Sequence, residues 1–170
     1  MVPRISASAS RSYSTRVHFR SFTSIGVRVT LIIPGREEPS MAKIERYGAA
    51  GVYDPPGYSQ GIRITGAQTI LVTAGQVPYD ANGGVKHRGD FTAQARAVFA
   101  AIQALVEAGG GTLDNVVKIT TYVTDVRYRL DFRRVREEFF GAKGPASTMV
   151  EVGSLAHPDY LIEVEAIAVV

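Results

Sequence analysis

The most unusual chemical feature of this 170-residue chain is a carboxylate inside an apolar strand. Glu163 sits in the run Leu161–Val170, whose other members, Glu165 apart, are Leu, Ile, Val and Ala. A carboxylate in such a setting is costly unless it is paired or neutralised. Burial raises a carboxyl's pKa and suits it to general acid/base work. Two readings stand: Glu163 is a proton carrier in a cleft, or a structural acid at a subunit interface, paired with an Arg or a backbone amide. Glu165 shares its strand face by the period of two and ranks second. Tyr58 follows a Pro-Pro-Gly turn and offers either a hydroxyl to substrate or a ring to an interface. Ser147 and Thr148 offer hydroxyls to a neutral polar ligand, or simply begin a strand. Arg133 supplies positive charge, or belongs to a solvated helix face.

Other chemistries are closed by composition. The chain has no Cys, which excludes a disulfide scaffold, thiolate metal sites and a Cys nucleophile. Three His (His18, His87 and His157) are too few for a multi-His metal centre, and His87 and His157 read as surface loop residues. Asp54 and Asp114-Asn115 are turn formers first. There is no phosphate loop, no nucleophile elbow and no metal-ligand spacing. Gly109-Gly110-Gly111 is a helix stop, not a nucleotide cradle. A carboxyl on an apolar strand is the best proton carrier that remains.

The elements that must position these residues lie between 41 and 170. Ile44–Ala49 reads as a first strand. Gly61–Thr65 and Gln68–Ala74 are β-branched runs joined by Gly66-Ala67, which predicts a strand pair with a tight connection. Asp90 caps a helix that ends at Gly109. Its apolar face is Phe91, Ala95, Val98, Ile102 and Leu105, at spacings of 4, 3, 4 and 3. Val116–Val123 is a strand rich in Val, Ile and Thr. A second helix spans 128–140 with Tyr128, Phe132, Val135 and Phe139 inside. Its other face is charged and solvated: Arg129, Asp131, Arg133, Arg134, Arg136 and Glu137. Thr148–Val152 and Leu161–Val170 are the last strands. The order β-β-β-α-β-α-β-β contains two strand–helix–strand units. These imply parallel pairing, with both helices on one sheet face. The opposite face carries apolar residues that a lone domain cannot leave wet, which predicts an oligomer in which sheets pack together.

Charge divides the chain. Residues 1–40 hold six Arg and two Glu, for +4; residues 41–170 hold thirteen basic and fourteen acidic residues, for −1. The body therefore has no electrostatic footprint for nucleic acid. The first forty residues, with eight Ser, read as a leader outside the fold: a mitochondrial transit peptide with a cleavage site at Arg11–Ser14, mistranslated upstream sequence before Met41, or a disordered tail. The body is then cytoplasmic or, with a transit peptide, in the mitochondrial matrix. No run of about 18 uncharged apolar residues exists to span a membrane.

Several blocks, in order, are similar to one family. They are Gly57-Tyr58-Ser59-Gln60-Gly61, Leu71–Pro78, Gln94-Ala95-Arg96, Val116–Asp125, Pro145–Val152 and Leu161–Val169. Over about residues 43–170 the chain resembles the RidA (YjgF-type) imine/enamine deaminases, once labelled endoribonucleases. The resemblance implies a chorismate-mutase-like α+β fold, with a mixed six-stranded sheet and two helices on one face. It implies a homotrimer with a central barrel and ligand clefts between subunits. The implied activity is hydrolysis of a reactive imine or enamine to a keto compound and ammonia, with no metal or organic cofactor. The partners implied are a small-molecule substrate and two further copies of the chain, with neither nucleic acid nor membrane. Tyr58 matches the cleft tyrosine, Gly75 a glycine whose backbone faces the ligand, and Glu163 the glutamate credited with placing the attacking water. Three positions depart. Ser147 stands where the family has a carboxylate-clamping Arg, Ala74 where it has a cleft serine, and Arg133 where it has an asparagine. The absent clamp predicts weak or no activity on 2-iminopropionate. A non-catalytic metabolite-binding trimer is the second reading and a nuclease the third.

Overall fold

The computed structural model describes residues 18–24, 27–33 and 42–170. The chain comprises two units, Met1–Pro39 and Ser40–Val170. In the first, β1 (His18–Ser24) and β2 (Val27–Ile33) pair antiparallel from His18↔Ile33 to Ser24↔Val27. The leader reading did not anticipate this pairing, although Phe and Thr in the first run and Val, Thr and Ile in the second favour strands. The expected cleavage site at Arg11–Ser14 and the start at Met41 lie outside the described residues.

The second unit carries six strands, β3 (Lys43–Tyr47), β4 (Gly61–Thr65), β5 (Ile70–Val72), β6 (Val116–Val123), β7 (Ala146–Glu151) and β8 (Ile162–Val169). Its helices are α1 (Phe91–Ala108) and α2 (Arg129–Phe140). The six strands form two sheets, not one. β3 and β4 make an antiparallel pair, and the other four run in the order β5-β8-β6-β7. The predicted β4–β5 hairpin is therefore absent. Gly66 takes a positive φ of 76° and redirects the chain. The amides of Gln68 and Thr69 then donate to the Val170 carbonyl, committing β5 to the edge of β8. Of the two strand–helix–strand units, β6-α2-β7 closes as a parallel pair. Across α1, β8 lies between β5 and β6, antiparallel to both.

Both helices cover one face of the four-stranded sheet. Asp90 Oδ1 accepts from the Ala93 amide at 3.0 Å and caps α1 as its sequence position requires. Ala95, Val98, Phe99 and Ile102 of α1 meet Ile119 and Val123 of β6 and Ile162, Val164 and Ala166 of β8. Phe99 is ringed by Phe132, Phe139 and Phe140 at 5.4–5.8 Å. Leu105, predicted inside, is 46% exposed, and Val106 is buried in its stead. Spacings of 4 and 3 average 3.5 residues per turn, so the stripe drifts about 20° per heptad on a real helix.

The opposite sheet face is open in the single chain. It presents Ile70, Val72, Lys118, Thr120, Tyr122, Thr148, Val150, Glu163, Glu165 and Ile167, placed there by the strand alternation and the register. Val72 is 73% exposed and stands opposite Ile167. This face mixes apolar and charged residues, where the sequence reading had it mainly apolar.

Candidate functional site

Glu163 lies on the open face, half-buried, opposite Tyr122 in the β6–β8 register. Its setting is made by an irregularity at the neighbouring edge. The Thr73 amide donates to the Ala166 carbonyl at 2.9 Å, and Thr73 Oγ1 accepts from the Ala166 amide at 2.9 Å. Further on, Gln76 and Val164 exchange backbone bonds of 2.8 and 3.1 Å. Between these pairings the edge has two residues, Ala74 and Gly75, where β8 has only Glu165. The edge therefore bulges. The side chain of Glu163 lies in the space that results. A Cβ on Gly75 would stand 1.9 Å from Glu163 Oε1 and 2.8 Å from its Cδ. The glycine is needed for this close approach, and Glu163 and Gly75 form one half of the candidate site. Lys118, on the same face, donates to Thr148 Oγ1. Desolvation pulls its ammonium below the ordinary lysine pKa, against the opposing charge of Glu165.

The second half gathers around Tyr58. Gly57 takes a φ of +86°, and a Cβ there would meet Glu137 Oε1 at 2.5 Å and Arg136 Nη2 at 2.8 Å. The Gly57 amide donates to the Ala142 carbonyl, the Ser59 amide to Pro145, and Ser59 Oγ to the Gly144 carbonyl at 2.7 Å. This stitching holds the 57–59 segment beside the start of β7, so that Tyr58 and Ser147 line one cavity of about 360 Å³. Arg129, Phe132, Arg133, Arg136 and Met149 line it as well. A wider cleft of about 670 Å³ shares Tyr58 and Arg133 and is bounded by Arg46, Tyr47 and Lys143. Neither is lined by Glu163 or Gly75.

The candidates therefore separate. Glu163 pairs with Gly75, while Tyr58, Ser147 and Arg133 share a cavity. Thr148 stands apart from Ser147, because successive residues of a strand point to opposite faces. Arg133 reaches the cavity wall, yet its Nε donates to Glu137 at 2.9 Å one helical turn away.

Two residues of the site escaped the sequence reading. Arg136, assigned there to the solvated face of α2, is 5% exposed. Its Cζ lies 5.1 Å from the Tyr58 ring centroid and 5.6 Å from that of Phe132, and its Nη1 approaches Ser147 Oγ at 3.4 Å. Burial pulls its pKa below the ordinary arginine value, while Glu137 and Tyr58 hold it up. The signal was its spacing: Phe132, Val135, Arg136 and Phe139 are i, i+3, i+4 and i+7. The other is Gln94, fully buried in α1. Its Nε2 donates to the His87 and Asp159 carbonyls, and its Oε1 accepts from the Leu161 amide at 2.9 Å. It thereby anchors the chain just before β8 and fixes the entry of the strand that carries Glu163.

Residues 53–170 match the profile of a family described as Endoribonuclease L-PSP. A RutC family protein of Pyrococcus horikoshii is 41% identical over 111 residues, 65% of this chain and 85% of the relative. The Rid family protein YyfB of Yersinia pestis superposes with a TM-score of 0.68 at 28% identity, over 75% of this chain and 98% of that one. The E. coli YjgF gene product gives 0.55 at 34% identity, over 73% and 92%. E. coli TdcF with bound serine gives 0.56 at 29% identity, over 74% and 93%.

Proposed function

Because the chain belongs to the RidA/YjgF (Endoribonuclease L-PSP) family, we propose that it hydrolyses a reactive imine or enamine to a keto compound and ammonia. The observation that carries the reading is the Glu163 carboxylate lying against the glycine backbone at 75, where any side chain would displace it. In this proposal a water beside Glu163 attacks the C=N carbon while the carboxylate takes its proton. The proton passes to nitrogen and gives a carbinolamine; its hydroxyl proton is then carried by the same carboxylate to the amino group, the C–N bond breaks, and ammonia leaves as the carbonyl forms. An enamine first gains a proton at carbon and enters as the imine. The chemistry draws on a carboxyl and water and on neither a metal nor an organic cofactor.

The reading includes a homotrimer. Glu163 sits on an open sheet face that also exposes Ile70 and Val72, and sheets packed through that face would cover it. Bound serine in TdcF supports a cleft of small-molecule size for this fold. A second reading, a metabolite-binding trimer without turnover, is favoured by one fact: the cavities beside Tyr58 hold neither Glu163 nor Gly75. A ribonuclease role, suggested by the family's description, is disfavoured by charge. The arginines on and beside α2 are largely paired, Arg127 with Asp125, Arg133 with Glu137 and Arg134 with Asp131. They do not form the free basic stripe that phosphates require.

The test is ammonia release from a panel of enzymatically generated imines, with and without a carboxylate. At least one should be hydrolysed well above the buffer rate. No acceleration for any of them would remove the enzymatic reading and leave the binding trimer.

A further inference from the structure

Two opposite charges stand on the open sheet face and do not meet within one chain. Lys118 and Glu165 are both half-buried there. Neither belongs to an ion pair among the described residues. Glu165 lies opposite Thr120 and Lys118 opposite Ile167, so the two are diagonal neighbours on β8 and β6. Yet the Lys118 ammonium donates to Thr148 Oγ1. Thr148 is on β7, and the order β8-β6-β7 puts β7 on the far side of β6 from Glu165. The lysine is thus drawn away from the acid beside it. Desolvation pulls its ammonium below the ordinary lysine pKa, and the charge of Glu165 opposes this from a distance.

Apolar residues flank the two charges. Val72 and Ile167 share the row of Lys118, and Val150 stands opposite Tyr122. A surface that covers these also takes water from Lys118 and Glu165, and charges desolvated without a partner oppose the contact strongly. The covering surface must therefore bring an anion to Lys118 and a cation to Glu165. A second copy of this chain carries both; a uniformly acidic or basic partner carries one. We infer that Lys118 of one copy pairs with Glu165 of the next, and that this pair fixes how the open faces meet. Apolar contact is non-directional, whereas a desolvated ion pair admits few arrangements and so selects among them. Such a head-to-tail contact closes into a ring in which every Lys118 and every Glu165 is used once. Glu163 does not compete for the lysine, because its carboxylate is turned to the bulge, against Gly75. The two acids of β8 thereby divide: Glu165 registers the copies, and Glu163 keeps the chemistry. The inference rests on the homotrimer of the proposed function and adds the contact that orders it; it does not depend on turnover.

The test is a charge swap in the full chain, read by light scattering over a dilution series. Lys118→Glu and Glu165→Lys should each need a concentration about tenfold or more above wild type to assemble, because each sets like charges against one another. The double variant should assemble as wild type does. The decisive sample is an equimolar mixture of the two single variants. If the pair forms between copies, opposite charges meet again wherever one variant adjoins the other, and the mixture should assemble at lower concentration than either variant alone. A pair formed within one chain gains nothing from mixing. In case the reversals fail to fold, Lys118→Ala and Glu165→Ala supply the second measure. Each should weaken assembly, and the two together should weaken it no further than one alone, as coupled residues do. Single variants that assemble like wild type, a mixture no better than its parts, or alanine effects that simply add would each overturn the inference and leave the homotrimer standing. A monomeric wild type would remove both. The full swap pattern with no ammonia from any imine removes the deaminase reading alone.

Discussion

The two halves of the candidate site are opposites in construction. Around Glu163 the backbone does the work. A bulge at Ala74-Gly75 and a missing Cβ leave space for a carboxylate on a sheet face that one chain leaves open. Around Tyr58 the side chains do it, with a guanidinium packed between two rings and a loop stitched to β7 by Ser59. One half offers an acid and no enclosed pocket; the other offers a pocket and a cation and no proton carrier. Hydrolysis of a C=N bond requires a positioned substrate together with a group that moves protons. Each half supplies one of these. A site assembled from two copies of the chain, as the proposed trimer allows, would supply both.

The sharpest way to break this division is to remove the acid alone. Glu163→Gln keeps shape and loses the proton carrier, and turnover of the best imine should fall by roughly 10² or more. Substrate affinity should stay within about twofold of wild type, since that belongs to the other half. Equal turnover would shift the role to Glu165, and loss of the trimer would make Glu163 a structural interface acid. The next variant separates the halves physically. Val72 is 73% exposed opposite Ile167, and Val72→Asp sets a charge in the face through which the sheets are proposed to pack. Light scattering should read three copies for the wild type and fewer for the variant, with turnover lost. A wild-type monomer would sink the two-copy site altogether.

The sequence disclosed these halves unequally, for physical reasons. Glu163 was conspicuous because a charge among Ile, Val and Ala has few explanations. The Asp90 cap and both helices were legible because their signals are local. The two-sheet division was not, since the partner of β5 lies some hundred residues away in β8 and Gly66-Ala67 resembles an ordinary hairpin connection. Ser147 and Thr148 read as one pair of hydroxyls, and only strand alternation divides them. Arg136 was hidden by its neighbours. Among Arg129, Arg133 and Arg134 it looked like one more solvated charge, although its spacing from Phe132 and Phe139 placed it inside.

A smaller effect probes what the halves share. Gln94 bonds the His87 and Asp159 carbonyls and the Leu161 amide, and so holds the approach to β8. Gln94→Leu keeps the volume and strands buried backbone groups, each worth about 1–3 kcal/mol when unsatisfied. Chemical denaturation should show a loss of about 2–4 kcal/mol. A loss below about 0.5 kcal/mol would mean that water replaces the amide at no cost.

The finest test moves Glu163 without deleting it. Gly75 has an ordinary φ, so alanine there meets no backbone penalty; its nearest conflicts are all with the Glu163 side chain, 1.9 Å from Oε1, 2.8 Å from Cδ and 3.0 Å from Cγ. A glutamate can rotate away from such a clash, so the fold should be spared and the melting temperature should change by no more than a degree or two. The carboxylate, however, loses the place against the backbone that the bulge provides. A shift of about an ångström in a catalytic group costs rate far more than binding. Gly75→Ala should therefore lower kcat about tenfold while KM stays near the wild-type value, because Tyr58 and its cavity are untouched. If KM rises and kcat holds, residue 75 contacts the substrate itself, and the boundary between the acid half and the anchoring half must be redrawn to include it in both.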